Sequence, residues 1–115
     1  MELVTFLRRE SAKRPFTFAA DMNAGKRSKA QGGRLKAMGL TPGEADLRLY
    51  FPSGVIVHVE LKTARGTLSK AQKERHKLLE GLGHEVYTIK TDDPEEGREL
   101  LTGILDRWAN KSPSE

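Results

Sequence analysis

Asp46, Glu60 and Lys62 are the residues of this chain whose types and spacing suit chemistry. Two carboxylates offer hard oxygen ligands to Mg²⁺ or Mn²⁺, and an ammonium beside them can steady a reacting phosphate. The three come from two β-rich runs, Gly43 to Phe51 and Val55 to Lys62, parted by Pro52-Ser53-Gly54. Such a pattern predicts a hairpin. Side chains alternate along a strand. Val55, Val57, Val59 and Leu61 therefore share one face, and Ile56, His58, Glu60 and Lys62 share the other. The hairpin brings Asp46, at the start of the first run, towards Glu60. The plainer alternative is that Glu60 and Lys62 are strand-end charges turned to solvent.

The elements around the hairpin must hold these residues in place. Residues 2–9 predict a short amphipathic helix, with Leu3, Phe6 and Leu7 at helical spacing and Arg8 and Arg9 near its C-terminal end. Pro15 breaks it, and Phe16 to Ala20 reads as a strand with Phe16 and Phe18 turned to the core. A loop over residues 21–25 follows. Ser28 is placed to cap a helix reaching about Met38, which Gly32 and Gly33 weaken and Gly39 ends. Thr41-Pro42-Gly43 is a turn. A linking loop after Lys62 leads to a helix from about Ser69 to Leu82, buried through Leu78, Leu79 and Leu82. Ser69 and Gln72 fit a capping box at its start. Residues 84–89 alternate as a strand, and the strand–helix–strand order makes it parallel to its partner. Asp93-Pro94-Glu95-Glu96 is a helix start. Leu100, Leu101, Ile104, Leu105 and Trp108 stripe the helix it opens, a face that suits a core or a dimer seam. The expected fold is α/β, a small mixed sheet flanked by helices.

A chain of 115 residues suits one domain, here residues 1–110, with a frayed tail at 111–115. A content of 37% hydrophobic and 31% charged residues fits a folded chain rather than a disordered one. There is no Cys, which excludes disulfides and thiolate zinc sites. No apolar run is long enough to span a bilayer and no signal-peptide pattern is present, so a cytoplasmic protein without a membrane partner is expected. The net charge of +4 is uneven, +6 over residues 1–39 and −2 over residues 40–115. A basic front half suggests a polyanion-facing side, with solubility alone as the other reading.

Asp46 followed after strand–turn–strand by Glu60-Leu61-Lys62 resembles the Asp…(Asp/Glu)-x-Lys core of the PD-(D/E)XK nuclease superfamily. The flanks narrow the resemblance to VRR-NUC domains, the virus-type replication-repair nucleases. Asn23-Ala24-Gly25-Lys26-Arg27-Ser28-Lys29-Ala30 and Arg34-Leu35-Lys36-Ala37-Met38-Gly39-Leu40-Thr41-Pro42-Gly43 are similar to the segment before their catalytic Asp. Gly66-Thr67-Leu68-Ser69-Lys70-Ala71-Gln72 is similar to the segment after their lysine. Gly83-His84-Glu85-Val86-Tyr87 is similar to their last strand. The family usually has Pro before the Asp; here Ala45 stands there, at a position that shapes a turn.

This resemblance implies a restriction-endonuclease-like PD-(D/E)XK core and metal-dependent cleavage of DNA phosphodiesters. It implies Asp46, Glu60 and the backbone carbonyl of Leu61 as ligands of Mg²⁺ or Mn²⁺, with Lys62 acting on the attacking water. Gln72 would help orient the metal, its water or the phosphate; the capping box is its structural alternative. Glu2 is the candidate for an additional acidic ligand on the first helix, or is simply a first-turn acid. Lys26, Arg27 and Lys29 suit phosphate contacts. Arg34, Lys70 and Lys73 extend that surface, with Asn23 a further candidate. Arg48 and Tyr50 could line the groove. His58 could reach DNA or a metal-bound water, or be a partly buried strand histidine. Glu44 could share the side of Asp46, or be a loop-edge acid. Short stand-alone members are typical of phages and prophages and resemble homodimers acting on branched DNA such as four-way (Holliday) junctions. The alternative class is a non-catalytic nucleic-acid-binding module with structural carboxylates. A third is an enzyme subunit docking through its Trp108 helix.

Overall fold

The computed structural model describes residues 2–20 and 45–109. The loop expected over residues 21–25, the helix expected from Ser28 to about Met38, the Thr41-Pro42-Gly43 turn, the cations Lys26, Arg27, Lys29 and Arg34, and Asn23, Glu44 and the 111–115 tail lie outside these residues. Three α-helices and four strands are described. They are α1 (Glu2–Ser11), β1 (Thr17–Ala20), β2 (Leu47–Phe51), β3 (Val55–Lys62), α2 (Lys70–Gly81), β4 (Glu85–Lys90) and α3 (Pro94–Trp108). The strands form one mixed sheet in the order β1-β2-β3-β4. β1 pairs antiparallel with β2, β2 antiparallel with β3, and β3 parallel with β4. The α/β class and the hairpin follow the sequence reading. The hairpin turns through Pro52–Gly54, where Ser53 and Gly54 both take left-handed backbone, at φ 66° and 76°. Glycine accepts that conformation at no steric cost, whereas serine strains to do so.

The core lies on one face of the sheet. Leu47, Leu49 and Phe51 of β2 alternate inward, and Val57 and Val59 of β3 join them. Leu7 of α1 and Leu101, Ile104 and Leu105 of α3 close over them. α1 lies against α3 where Gly97 leaves no side chain, since a Cβ there would meet Leu3 at 3.3 Å. Phe16 is buried against Phe51, with ring centroids 5.8 Å apart, and Phe18 is half-buried. Leu101, Ile104 and Leu105 of the α3 stripe are therefore core. The stripe narrows at Leu100, which is exposed, and Trp108 donates from its indole N–H to the Tyr87 hydroxyl at 3.1 Å.

α2 covers the opposite face. Its cap is the predicted one: Ser69 Oγ accepts from the Gln72 N–H at 3.1 Å, and Gln72 Oε1 accepts from the Ser69 N–H at 2.8 Å. Its buried face is not the predicted one. Leu79 is buried, but Leu78 and Leu82 are 54% and 70% exposed, and His76 is buried instead. The reason is periodicity. His76 and Leu79 lie three apart and share a face, while Leu78, two residues from His76, falls on the far side of the helix, and Leu82 is the C-cap beyond its last turn. Leu78 and Leu82 line an open groove with Glu74, Lys77 and Gly81, and no candidate catalytic residue lines it. No helix among the described residues is long and apolar enough to cross a membrane.

With both faces covered, residues 57–60 of β3 are buried without a break. Truncation there or in the facing helix leaves a cavity. Leu101→Ala is expected to lower stability by about 2–5 kcal/mol, read as a fall in the urea midpoint at unchanged slope.

Candidate metal and phosphate site

Asp46 immediately precedes β2, Glu60 stands opposite it on β3, and Lys62 follows two residues on along the same face. The Leu47–Val59 pairing brings the next positions outward, 46 and 60, into contact. The contact is reciprocal and uses backbone. Glu60 Oε2 accepts from the Asp46 N–H at 3.2 Å. Asp46 Oδ2 accepts from the Leu61 N–H at 2.8 Å. Each carboxylate is thus held by the other's strand. Ala45, ahead of Asp46, is fully buried and fixes where the chain enters.

Glu60 is 0% exposed, so the solvent-facing reading of this residue is excluded. Its carboxyl is pushed up to about 8, first by burial and then by the hydrogen bond and negative charge of Asp46. The Asp46 N–H and the Lys62 ammonium pull in the other direction without overcoming this. Two close carboxyls in a dry place favour keeping a proton on one of them. Lys62, half-buried at the end of β3, lies near enough for its charge to act on Glu60.

The donor chemistry suits a hard divalent cation. Two acids crowd together, and Glu60 Oε1 is buried with no hydrogen-bond partner. An unsatisfied carboxylate oxygen is costly in a low-dielectric interior, and a cation offsets that cost. Among the described residues no three His, Asp or Glu side chains converge as one metal-sized group. The protein ligands on offer there are Asp46 and Glu60, with the Leu61 carbonyl next in sequence after Glu60.

The other candidates fall as follows. Gln72 is half-buried, and its side-chain oxygen is engaged in the α2 cap. Glu2 opens α1. Lys70 and Lys73 are exposed on the first turn of α2, with Lys70 3.9 Å from Glu74 in a surface pair. Arg48 and Tyr50 are half-buried, opposite His58 and Ile56 on the face that carries Glu60. His58 is buried and meets His84 edge-on, with ring centroids 5.3 Å apart.

Sequence reasoning missed His76. Its Nε2 lies 3.6 Å from Glu60 Oε1, with the two side chains 7% and 0% exposed. The available signal was the stripe Gln72, His76, Leu79 at spacings of four and three, which marks one face of a helix. The chain matches no family model, no curated protein and no solved structure.

The raised Glu60 carboxyl has a thermodynamic consequence for the metal-free protein. Between about 4.5, the ordinary value, and about 8, the folded state holds a proton that the unfolded state has released. The stabilisation is complete below that window and is lost as pH rises through it. In chelator, the melting temperature is expected to fall from pH 5 to pH 8.5, and Glu60→Gln should flatten the dependence. A wild-type melting temperature rising over that range would refute the assignment.

Proposed function

We propose that this protein is a metal-dependent deoxyribonuclease of the VRR-NUC kind, hydrolysing DNA phosphodiester bonds, with branched DNA as its preferred substrate. The observation that carries the reading is the reciprocal Asp46–Glu60 contact with Lys62 on the same face two residues on. A module that only binds nucleic acid has no need to bury a carboxyl beside another carboxyl. The αβββαβα order of the described elements and the parallel β3–β4 pair support the proposed PD-(D/E)XK core.

In this reading Asp46, Glu60 and the Leu61 carbonyl hold Mg²⁺ or Mn²⁺. The bound ion supplies polarisation of a phosphoryl oxygen and a bound water of lowered pKa. Lys62 orients or helps deprotonate the attacking water, and its ammonium offsets charge that develops on the phosphate. Gln72, one turn before His76 on the face of α2 that meets Glu60, orders the nucleophile side, and Glu2 is the candidate further ligand. Lys26, Arg27, Lys29 and Arg34 with Lys70 and Lys73 contact backbone phosphates. Phosphate contacts are salt-sensitive and indifferent to sequence. A homodimer in the host cytoplasm, of phage or prophage origin, would place two such sites on two strands of a junction.

The deciding assay incubates four-way-junction and linear duplex DNA with the protein in Mg²⁺, in Mn²⁺ and in chelator. Cleavage is expected with either metal and not in chelator, and faster on the junction. Binding without cleavage under every condition would favour the non-catalytic module. Lys62→Ala should lower the cleavage rate at least about 100-fold while DNA retention in a gel persists. Asp46→Ala should abolish the calorimetric signal of Mn²⁺ binding.

Gln72 can be tested against its cap. Ser69→Ala and Gln72→Ala should each cost roughly 1 kcal/mol of stability. A greater loss of cleavage in Gln72→Ala than in Ser69→Ala is expected. Equal losses would leave Gln72 a capping residue.

A further inference from the structure

Glu60 is fixed by a β2-side backbone group through one oxygen and faces a helix through the other. Oε2 takes the Asp46 N–H, while Oε1, equally buried, accepts no hydrogen bond and lies 3.6 Å from His76 Nε2. That distance is just beyond hydrogen-bond reach, so a small shift closes it. His76 is itself held from both ends of α2. The Ser69–Gln72 box fixes the N-terminal turn. Leu79 is buried below it, and the Leu79 carbonyl accepts from the His84 N–H at 3.0 Å as the chain turns into β4. The backbone that carries the imidazole is therefore fixed, and the imidazole itself is enclosed, 7% exposed.

We propose that His76 is a positioning residue for the metal site, an imidazole on α2 that sets the plane of the Glu60 carboxylate by facing its Oε1. The inference rests on the proposed metal site and deepens it. Groups that bond to a metal-ligating side chain restrict its orientation, and their loss weakens metal binding without removing a ligand. In the Asp46–Glu60 pair, backbone N–H groups anchor one oxygen of each acid. His76 supplies the third point of reference, and the one that comes from outside the hairpin. It makes the docking of α2 a condition for a well-formed site.

The test compares wild type, His76→Phe, which keeps a ring and removes the N–H, and His76→Gln, which keeps a side-chain donor. Mn²⁺ affinity is measured by electron paramagnetic resonance in the absence of DNA, with folding followed by circular dichroism. His76→Phe is expected to bind Mn²⁺ about tenfold more weakly, and His76→Gln to recover most of that loss. DNA retention in chelator should be equal in all three. Undiminished Mn²⁺ affinity in His76→Phe, or no recovery in His76→Gln, overturns the positioning role while leaving the nuclease reading intact. Absence of Mn²⁺ binding in the wild type overturns both. Should His76→Phe not fold, nitrogen-15 histidine spectra of the wild type decide the matter. Mg²⁺ is expected to shift the His76 ring resonances, and unmoved resonances count against the role.

Discussion

A carboxyl group taken wholly out of water, Glu60, is the constraint around which this structure is arranged. An isolated buried carboxylate would be severely destabilising. Here the cost is lowered locally, by an Asp46 N–H on one oxygen and by a pKa raised far enough to retain a proton. Asp46 is fixed in return by the Leu61 N–H. The two bonds cross between adjacent strands and so depend on the β2–β3 register. A slip of one residue would turn Glu60 into the apolar face and Val59 away from it.

The covered sheet follows from the same arrangement. One face of β3 is apolar and meets α1 and α3 through Leu7, Leu101 and Leu105. The other carries His58 and Glu60 and meets α2. The apolar face supplies most of the stability through burial. The polar face is enclosed without being apolar, which raises the strength of every electrostatic interaction within it. Such a face is suited to holding a charge that solvent would otherwise screen. The order of the chain assists, because α2 connects β3 to β4 and is brought back across the sheet by their parallel pairing.

Much of this was legible in the residues. Alternation in Val55–Lys62 assigned each side chain to its face, and the Pro52-Ser53-Gly54 break located the hairpin. Ser69–Gln72 and Asp93-Pro94 marked helix starts that are present in the structure, with Asp93 Oδ1 accepting from the Glu95 N–H at 3.0 Å. The inner face of α2 was not legible. Three leucines drew the expectation of burial, and two of them face outward. Hydrophobicity names the residues that gain from burial, but helical phase relative to the sheet decides which of them receive it. A histidine took the inward place because the surface it meets is a carboxyl group and not a hydrocarbon one.

The sequence by itself determined the local terms: strand faces, turn chemistry, helix caps, and the placing of Glu60 and Lys62 on one face of a strand end. Each depends on neighbours a few residues away, where backbone geometry leaves little choice. Only the tertiary structure decided that Glu60 is enclosed, that the Asp46 N–H holds one of its oxygens, and that His76 reaches it from another element. Those are long-range contacts, 14 residues apart for one pair and between strand and helix for the other. Burial and electrostatic environment belong to the assembled layers, and no short window of sequence contains them.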